Sequence, residues 1–191
     1  LVNSEIRKKI KKIKKQKKVF NSNVQNSILS KLDFELTNDQ KNSLKEINQD
    51  LKSSQKMFRL LQGDVGSGKT IVALSAAYNV IKSGFQVAIM APTEILARQH
   101  FNLAKKIFDK KIRIEILSSK SEYKDKKIIT KKISENYIDI IFGTHAIFQE
   151  KIIFNKLGLI IIDEQHKFGV NQRKKLSDKG GDNCDVLLMS A

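Results

Sequence analysis

Residues 58–83 read FRLLQGDVGSGKTIVALSAAYNVIKS, and three features of that stretch decide the fold. Phe58–Gln62 is a largely apolar run of strand length. Residues 70–83 have helix length, are apolar almost all round, and stop before Gly84, a good residue for the position after a helix. Between them, Gly63-Asp64-Val65-Gly66-Ser67-Gly68-Lys69-Thr70 follows the spacing G-x-x-x-x-G-K-[ST] in the strand–turn–helix context that gives this pattern its meaning. Gly63, Gly66 and Gly68 permit a turn that aims backbone N–H groups at phosphate oxygens, with the positive end of the next helix behind them. Lys69 adds a point charge for β- and γ-phosphates, and Thr70 adds a hydroxyl for Mg²⁺. Asp64, Val65 and Ser67 complete the loop. The stretch predicts a nucleotide-phosphate cradle at the end of a buried strand.

Working outward, strand-like runs recur at 86–91, 112–117, 138–142, 159–162 and 186–189, with helix-length segments between nearly all of them. Continuous apolar strands alternating with helices predict a doubly wound α/β domain, its parallel sheet covered by helices on both faces. Asp163 and Glu164 follow the run at 159–162. Asp163 can hold Mg²⁺ through its water shell, and Glu164 can polarise an attacking water. Asp also caps helices, so the pair gains its weight from following the glycine-rich loop by about ninety residues.

Two more loops follow strands. In Ala91-Pro92-Thr93-Glu94 the only proline holds Ala91 extended, and Thr93 can cap the next helix. That helix packs through Ala97, Phe101, Ala104 and Phe108, leaving its N-terminus free for a phosphate. In Gly143-Thr144-His145 the glycine allows close backbone approach and the threonine offers a hydroxyl. All four loops are expected at the C-terminal ends of parallel strands, the edge where open α/β sheets bind ligands. Upstream, Thr37-Asn38-Asp39-Gln40 forms a capping box before a helix that carries Leu44, Ile47 and Leu51 on one face.

The 191 residues can bury one core with an appendage. A start at Leu1 and a stop at Ala191, directly after a strand-like run, read as a fragment cut mid-domain, its sheet ending at Ala191 with later strands missing and an unpaired edge exposed. The net charge is +16, and residues 1–31 hold ten Lys/Arg against the single acid Glu5. Such a balance favours polyanionic partners. No apolar run approaches the roughly 20 residues of a membrane span, so no membrane partner is expected. No signal peptide is visible, and the lone Cys184 forms no internal disulfide, so the expected location is cytoplasmic. Cys184 reads as a small core residue. The histidines His100, His145 and His166 are dispersed and have no Cys partners, which argues against structural zinc.

Nine of the twelve residues 7–18 are basic, while Val2, Ile6, Ile10 and Ile13 recur at helical spacing. The pattern predicts an amphipathic basic α-helix, either docked by its stripe on a neighbouring domain or laid on DNA with salt-sensitive affinity. Residues 21–30 read as a polar linker. The division is then 1–31 as basic helix and linker, and 32–191 as the nucleotide-binding domain.

The motifs form an ordered series: FELTNDQ (34–40), LLQGDVGSGKT (60–70), MAPTEILARQH (90–100), FGTHAIFQE (142–150), IIIDEQHKFGVNQR (160–173) and MSA (189–191). The series resembles superfamily 2 helicases, and more closely the RecG family of branched-DNA helicases. The resemblance implies a RecA-like P-loop NTPase domain that uses ATP and Mg²⁺, with Lys69, Asp163 and Glu164 as its catalytic residues. It implies that Phe34 and Gln40 belong to an adenine-contacting motif and that Pro92, Thr93, Gly143 and Thr144 face the DNA path. His166 and Ser190 would couple nucleotide state to DNA. The implied activity is ATP-driven remodelling of branched DNA, by fork reversal and Holliday-junction migration, in recombination and repair.

The same resemblance makes the basic helix a connector from a wedge domain. It also calls for a second RecA-like domain that supplies an arginine finger, so this chain alone is expected to be almost inactive. The nearest alternative, a translocase like the transcription-repair coupling factor, usually has an aromatic at the position of Ser67 and Glu at that of Gln165. A transporter ATPase would show an LSGGQ-like signature, which is absent. A P-loop binding module without catalysis would have lost Lys69 or Glu164, and both are present. Discrimination against RNA, which would use the 2′-OH, stays open.

Overall fold

The computed structural model describes residues 14–118, 123–149, 152–164 and 181–191. Six strands form one sheet: β1 Phe58–Gln62, β2 Gln86–Met90, β3 Ile114–Leu117, β4 Ile140–Gly143, β5 Leu157–Ile162 and β6 Asp185–Ser190. Their order is β1-β6-β5-β2-β4-β3, and every pairing is parallel. Successive side chains of a strand point to opposite faces, and here both faces are covered. Leu159 and Ile161 join one core while Ile160 and Ile162 join the other. This is why the strands read as continuous apolar runs.

The first core is closed by α2 (Asn38–Lys52), α3 (Lys69–Lys82) and α4 (Glu94–Ile107); the second takes Ile133 of α5 (Tyr123–Ser134), Ile147 of the 3₁₀ turn His145–Phe148, and Ile152. Every residue of α3 from Ile71 to Val80 is buried. That burial requires an outer cover, which α2 provides through Leu44, Ile47 and Leu51. A 3.0 Å bond from Asn79 Nδ2 to Asn48 Oδ1 joins the two helices. The predicted caps form. Thr37 and Gln40 exchange both bonds of a capping box, and α3 ends before Gly84, whose φ of +82° suits the position. β3 and β4 start two residues later than the apolar runs suggest. Ile112 and Ile138 are buried but lie in the preceding turns.

Three expectations are corrected. The basic helix read over 7–18 does not extend through its described part: Lys14 forms an antiparallel bridge with Gln55, and residues 15–20 run without helix. Its earlier residues lie outside the described ones. The reason is that Lys15 and Lys18 turn inward onto the buried Asp185, while the apolar Val19 is 78% exposed. The polar linker is a helix, α1 (Ser22–Leu29), capped by Asn21, whose side chain accepts from Val24 N at 3.0 Å. Ile28 is its buried anchor. Finally, β6 is not an unpaired edge; it is inserted between β1 and β5 and bonds to both.

Among the described residues, no helix is long and apolar enough to cross a membrane.

Candidate nucleotide site

Because all strands run the same way, the loops after β1, β2, β4 and β5 and the end of β6 share one edge of the sheet. The glycine-rich loop leaves β1 at Gly63, whose N–H donates to the Ser190 carbonyl at 3.3 Å. Ser190, singled out at the end of the chain, thus contacts the first residue of the loop. Gly66 and Gly68 have φ of +82° and +79°, the left-handed region that other residues enter at a cost. Gly68 also lies so close to Gln40 that a β-carbon there would collide with Nε2. Lys69 and Thr70 open α3 directly after it.

Lys69 Nζ donates to the carbonyls of Gly63 at 2.5 Å and Asp64 at 2.7 Å, which holds the ammonium over the loop. Gln40 braces the loop from outside: its Nε2 donates to Ser67 O at 2.8 Å while its Oε1 accepts from Thr37 N at 2.9 Å. The amide that caps α2 therefore also fixes the loop, a contact that the capping pattern could not reveal. Phe34 and Val65 are exposed at 54% and 89%.

Asp163 directly follows β5, and its N–H donates to Met90 O at 2.8 Å, in line with the β2–β5 pairing. Asp163 Oδ1 accepts from Glu164 N at 2.9 Å; Oδ2 lies 2.7 Å from His100 Nε2. Glu164 has φ of +47°, a left-handed conformation that is uncommon for a residue with a side chain. His166 lies outside the described residues.

The loops after β2 and β4 are tied together, since Ala91 N donates to Gly143 O at 3.0 Å. Thr93 caps α4 by accepting from Leu96 N at 3.3 Å. At Gly143 a β-carbon would stand 2.8 Å from the Leu117 carbonyl oxygen and 2.6 Å from Ile147 Cγ2, so glycine is the residue that lets these segments approach. Thr144 next to it is buried. Pro92, Thr93, Gly143 and Thr144 therefore form one neighbourhood, on the sheet edge that carries the glycine-rich loop.

In the sequence His100 stands as one of three dispersed histidines and as the last residue of MAPTEILARQH, with no role of its own. Its signal was present: it falls on the face of α4 formed by Ala97, Phe101, Ala104 and Ile107, where a polar ring needs a partner. What the sequence could not name was that partner.

The donors suit Mg²⁺. Thr70 and Asp163 offer hard oxygens, and each carboxylate oxygen of Asp163 has one described hydrogen-bond contact, leaving acceptor capacity for waters of the ion's shell.

Comparison with known proteins agrees with the geometry. The chain is 49% identical over 178 residues to the ATP-dependent DNA helicase RecG of Borreliella burgdorferi, covering 93% of this chain and 26% of that protein. It is 46% identical over 165 residues to the ATP-dependent DNA helicase RecG of Staphylococcus aureus, covering 86% of this chain and 24% of that one. The chain thus spans about a quarter of the length of these relatives. A solved structure of RecG bound to a three-way DNA junction superimposes with a TM-score of 0.86 at 39% identity, covering 98% of this chain and 25% of that one. The family described as DEAD/DEAH box helicase matches residues 35–191. By that match, over most of its length, the chain belongs to the DEAD/DEAH box helicase family.

Proposed function

We propose that this chain is the first RecA-like motor domain of an ATP-dependent DNA helicase that remodels branched DNA, reversing forks and migrating Holliday junctions in the cytoplasm of its cell. The observation that carries the proposal is the meeting of the glycine-rich loop, Asp163-Glu164 and the paired loops at Pro92-Thr93 and Gly143-Thr144 on one sheet edge. A nucleotide and a strand of DNA can be engaged there by the same few loops.

In this reading the N–H groups of residues 63–70 and the α3 N-terminus bind the ATP phosphates, and Lys69 neutralises the β/γ end. Phe34 and Gln40 take the adenine. Thr70 and Asp163 hold Mg²⁺, which when bound offsets phosphate charge. Glu164 orients and polarises the attacking water. Pro92, Thr93, Gly143 and Thr144 contact the DNA backbone, and His166 and Ser190 relay nucleotide state to it. The direct bond from Gly63 to the Ser190 carbonyl supports that relay. Residues 1–31 act as the connector from a wedge domain, and a second RecA-like domain of the parent chain supplies the arginine finger. That finger contributes about 10³–10⁵ in rate in other P-loop enzymes, so the 191-residue chain alone binds Mg-ATP and turns it over very slowly.

The test is strand separation. Full-length protein is incubated with a fluorescently labelled three-way DNA junction, with ATP or with a non-hydrolysable analogue. Separation with ATP alone is expected; equal separation with the analogue, or none with ATP, removes the proposal.

A further inference from the structure

His100 stands on the buried face of α4 with its side chain 9% exposed, and its Nε2 lies 2.7 Å from Oδ2 of Asp163, itself 14% exposed. The two residues come from different elements, α4 and the end of β5. The other oxygen, Oδ1, accepts the Glu164 N–H at 2.9 Å, and the Asp163 backbone is fixed by its 2.8 Å bond to Met90 O. Carboxylate and main chain are thus held from three directions, and His100 provides the only one of these contacts made by another side chain. An apolar residue would pack on Ala97, Phe101, Ala104 and Ile107 without needing a partner; an imidazole there is compensated only by its hydrogen bond.

We infer that His100 is a positioning residue for Asp163: its Nε2–H donates to the carboxylate, fixes the side-chain torsion, and leaves the remaining acceptor capacity of Asp163 for waters that would surround a nucleotide-bound Mg²⁺. Partners in this outer position orient metal-binding carboxylates and tune their affinity. The inference rests on the proposed assignment of Asp163 to Mg²⁺. His100 is assigned to act through Asp163 and not on the metal or nucleotide directly.

The experiment measures binding of a fluorescent ATP analogue to the full-length protein, first in EDTA and then across a Mg²⁺ titration. His100→Phe keeps a ring of similar size and removes the donor; His100→Gln restores an N–H donor. For His100→Phe the expected result is unchanged affinity in EDTA and a Mg²⁺ midpoint raised about tenfold or more. His100→Gln should recover most of that shift. A wild-type Mg²⁺ midpoint in His100→Phe overturns the inference, as does an equal loss of affinity with and without metal, which marks a packing defect only. If His100→Phe does not fold, His100→Leu is read by the same criteria. Should the unmodified protein bind the analogue without any Mg²⁺ dependence, the metal assignment of Asp163 falls and takes this inference with it. A Mg²⁺-dependent unmodified protein with an unshifted variant removes the inference alone.

Discussion

Lys15 and Asp185 are 170 residues apart in the chain, yet Lys15 Nζ lies 2.6 Å from Asp185 Oδ2 and neither side chain reaches solvent. Lys18 joins the same carboxylate at 2.8 Å, and the Met57 N–H donates to it at 2.7 Å. The arm before α1 is thereby fastened to the start of β6, at the opposite end of the strand from Ser190. Removing one member of a buried ion pair leaves the other charge unmatched and costs about 3–5 kcal/mol. Asp185→Asn should therefore lower the free energy of urea unfolding by about that amount, while still accepting the Met57 N–H. Replacing Lys15 and Lys18 by Met together with Asp185→Asn, which keeps an acceptor for the Met57 N–H, should recover most of the loss. A loss below about 1 kcal/mol in Asp185→Asn, the range of exposed pairs, contradicts this account of the arm.

Lys69 and Glu164 are expected to separate binding from turnover. Lys69→Ala removes the charge proposed to neutralise the terminal phosphate, so affinity and hydrolysis should both fall. Glu164→Gln leaves Lys69, Thr70 and Asp163 in place, so affinity is kept while turnover drops by about 10²–10⁴-fold, the usual contribution of general acid–base catalysis. Fluorescence titration with nucleotide and steady-state phosphate release give the two readings independently. Full turnover in Glu164→Gln removes its catalytic assignment.

Asp109 sets an acid limit on the packing of α1. Lys31 and the Tyr78 hydroxyl, the latter at 2.6 Å, hold its carboxyl well below the usual carboxylate range, with Lys82 adding a pair at 3.1 Å. A carboxyl whose folded value lies below its unfolded one stabilises the fold above the unfolded value, and that stability is lost as pH falls through the folded one. Thermal melts from pH 7 down to about pH 2 should show Asp109→Asn less stable than the unmodified protein at neutral pH. The gap should narrow progressively as pH falls below about 3.8, the ordinary Asp value. A gap independent of pH contradicts the ionic origin.

Cys184 is buried, and burial followed by the nearby Asp185 charge pushes its thiol up to about 12. A thiol needs to ionise and be reached to react. Disulfide reagents at pH 8 should consume it only at the rate of protein unfolding, and at once in denaturant. Immediate stoichiometric reaction of the folded protein contradicts the burial.

The fold was legible where one physical cause dominated. The central strands, buried on both faces, had to be largely apolar, and enough apolar residues remain in the partly buried edge strands β1 and β3 that all six were found within about two residues; the glycines at 66 and 68 announced their left-handed turns. The joint edge followed from strand direction alone. The failures lie where a charge behaves as a core residue. Lys15 and Lys18 read as solvated because their partner Asp185 is remote in sequence; the linker hid α1 because Ile28 and the Asn21 cap are few signals among polar residues. The insertion of β6 between β1 and β5 is a spatial order that chain order does not encode. In the site, residue types and loops could be read, but the contacts from His100 to Asp163 and from Gln40 to Ser67 could not, since both join separate elements.

In the proposed function, ATP turned over at this sheet edge is coupled to DNA bound beside it. The most direct measurement is steady-state ATP hydrolysis by the full-length protein as a three-way DNA junction is titrated in, with Lys69→Ala alongside. The account predicts turnover that rises with junction concentration to a plateau and is abolished by Lys69→Ala at every concentration. Turnover that ignores the DNA, or that survives the loss of Lys69, contradicts it.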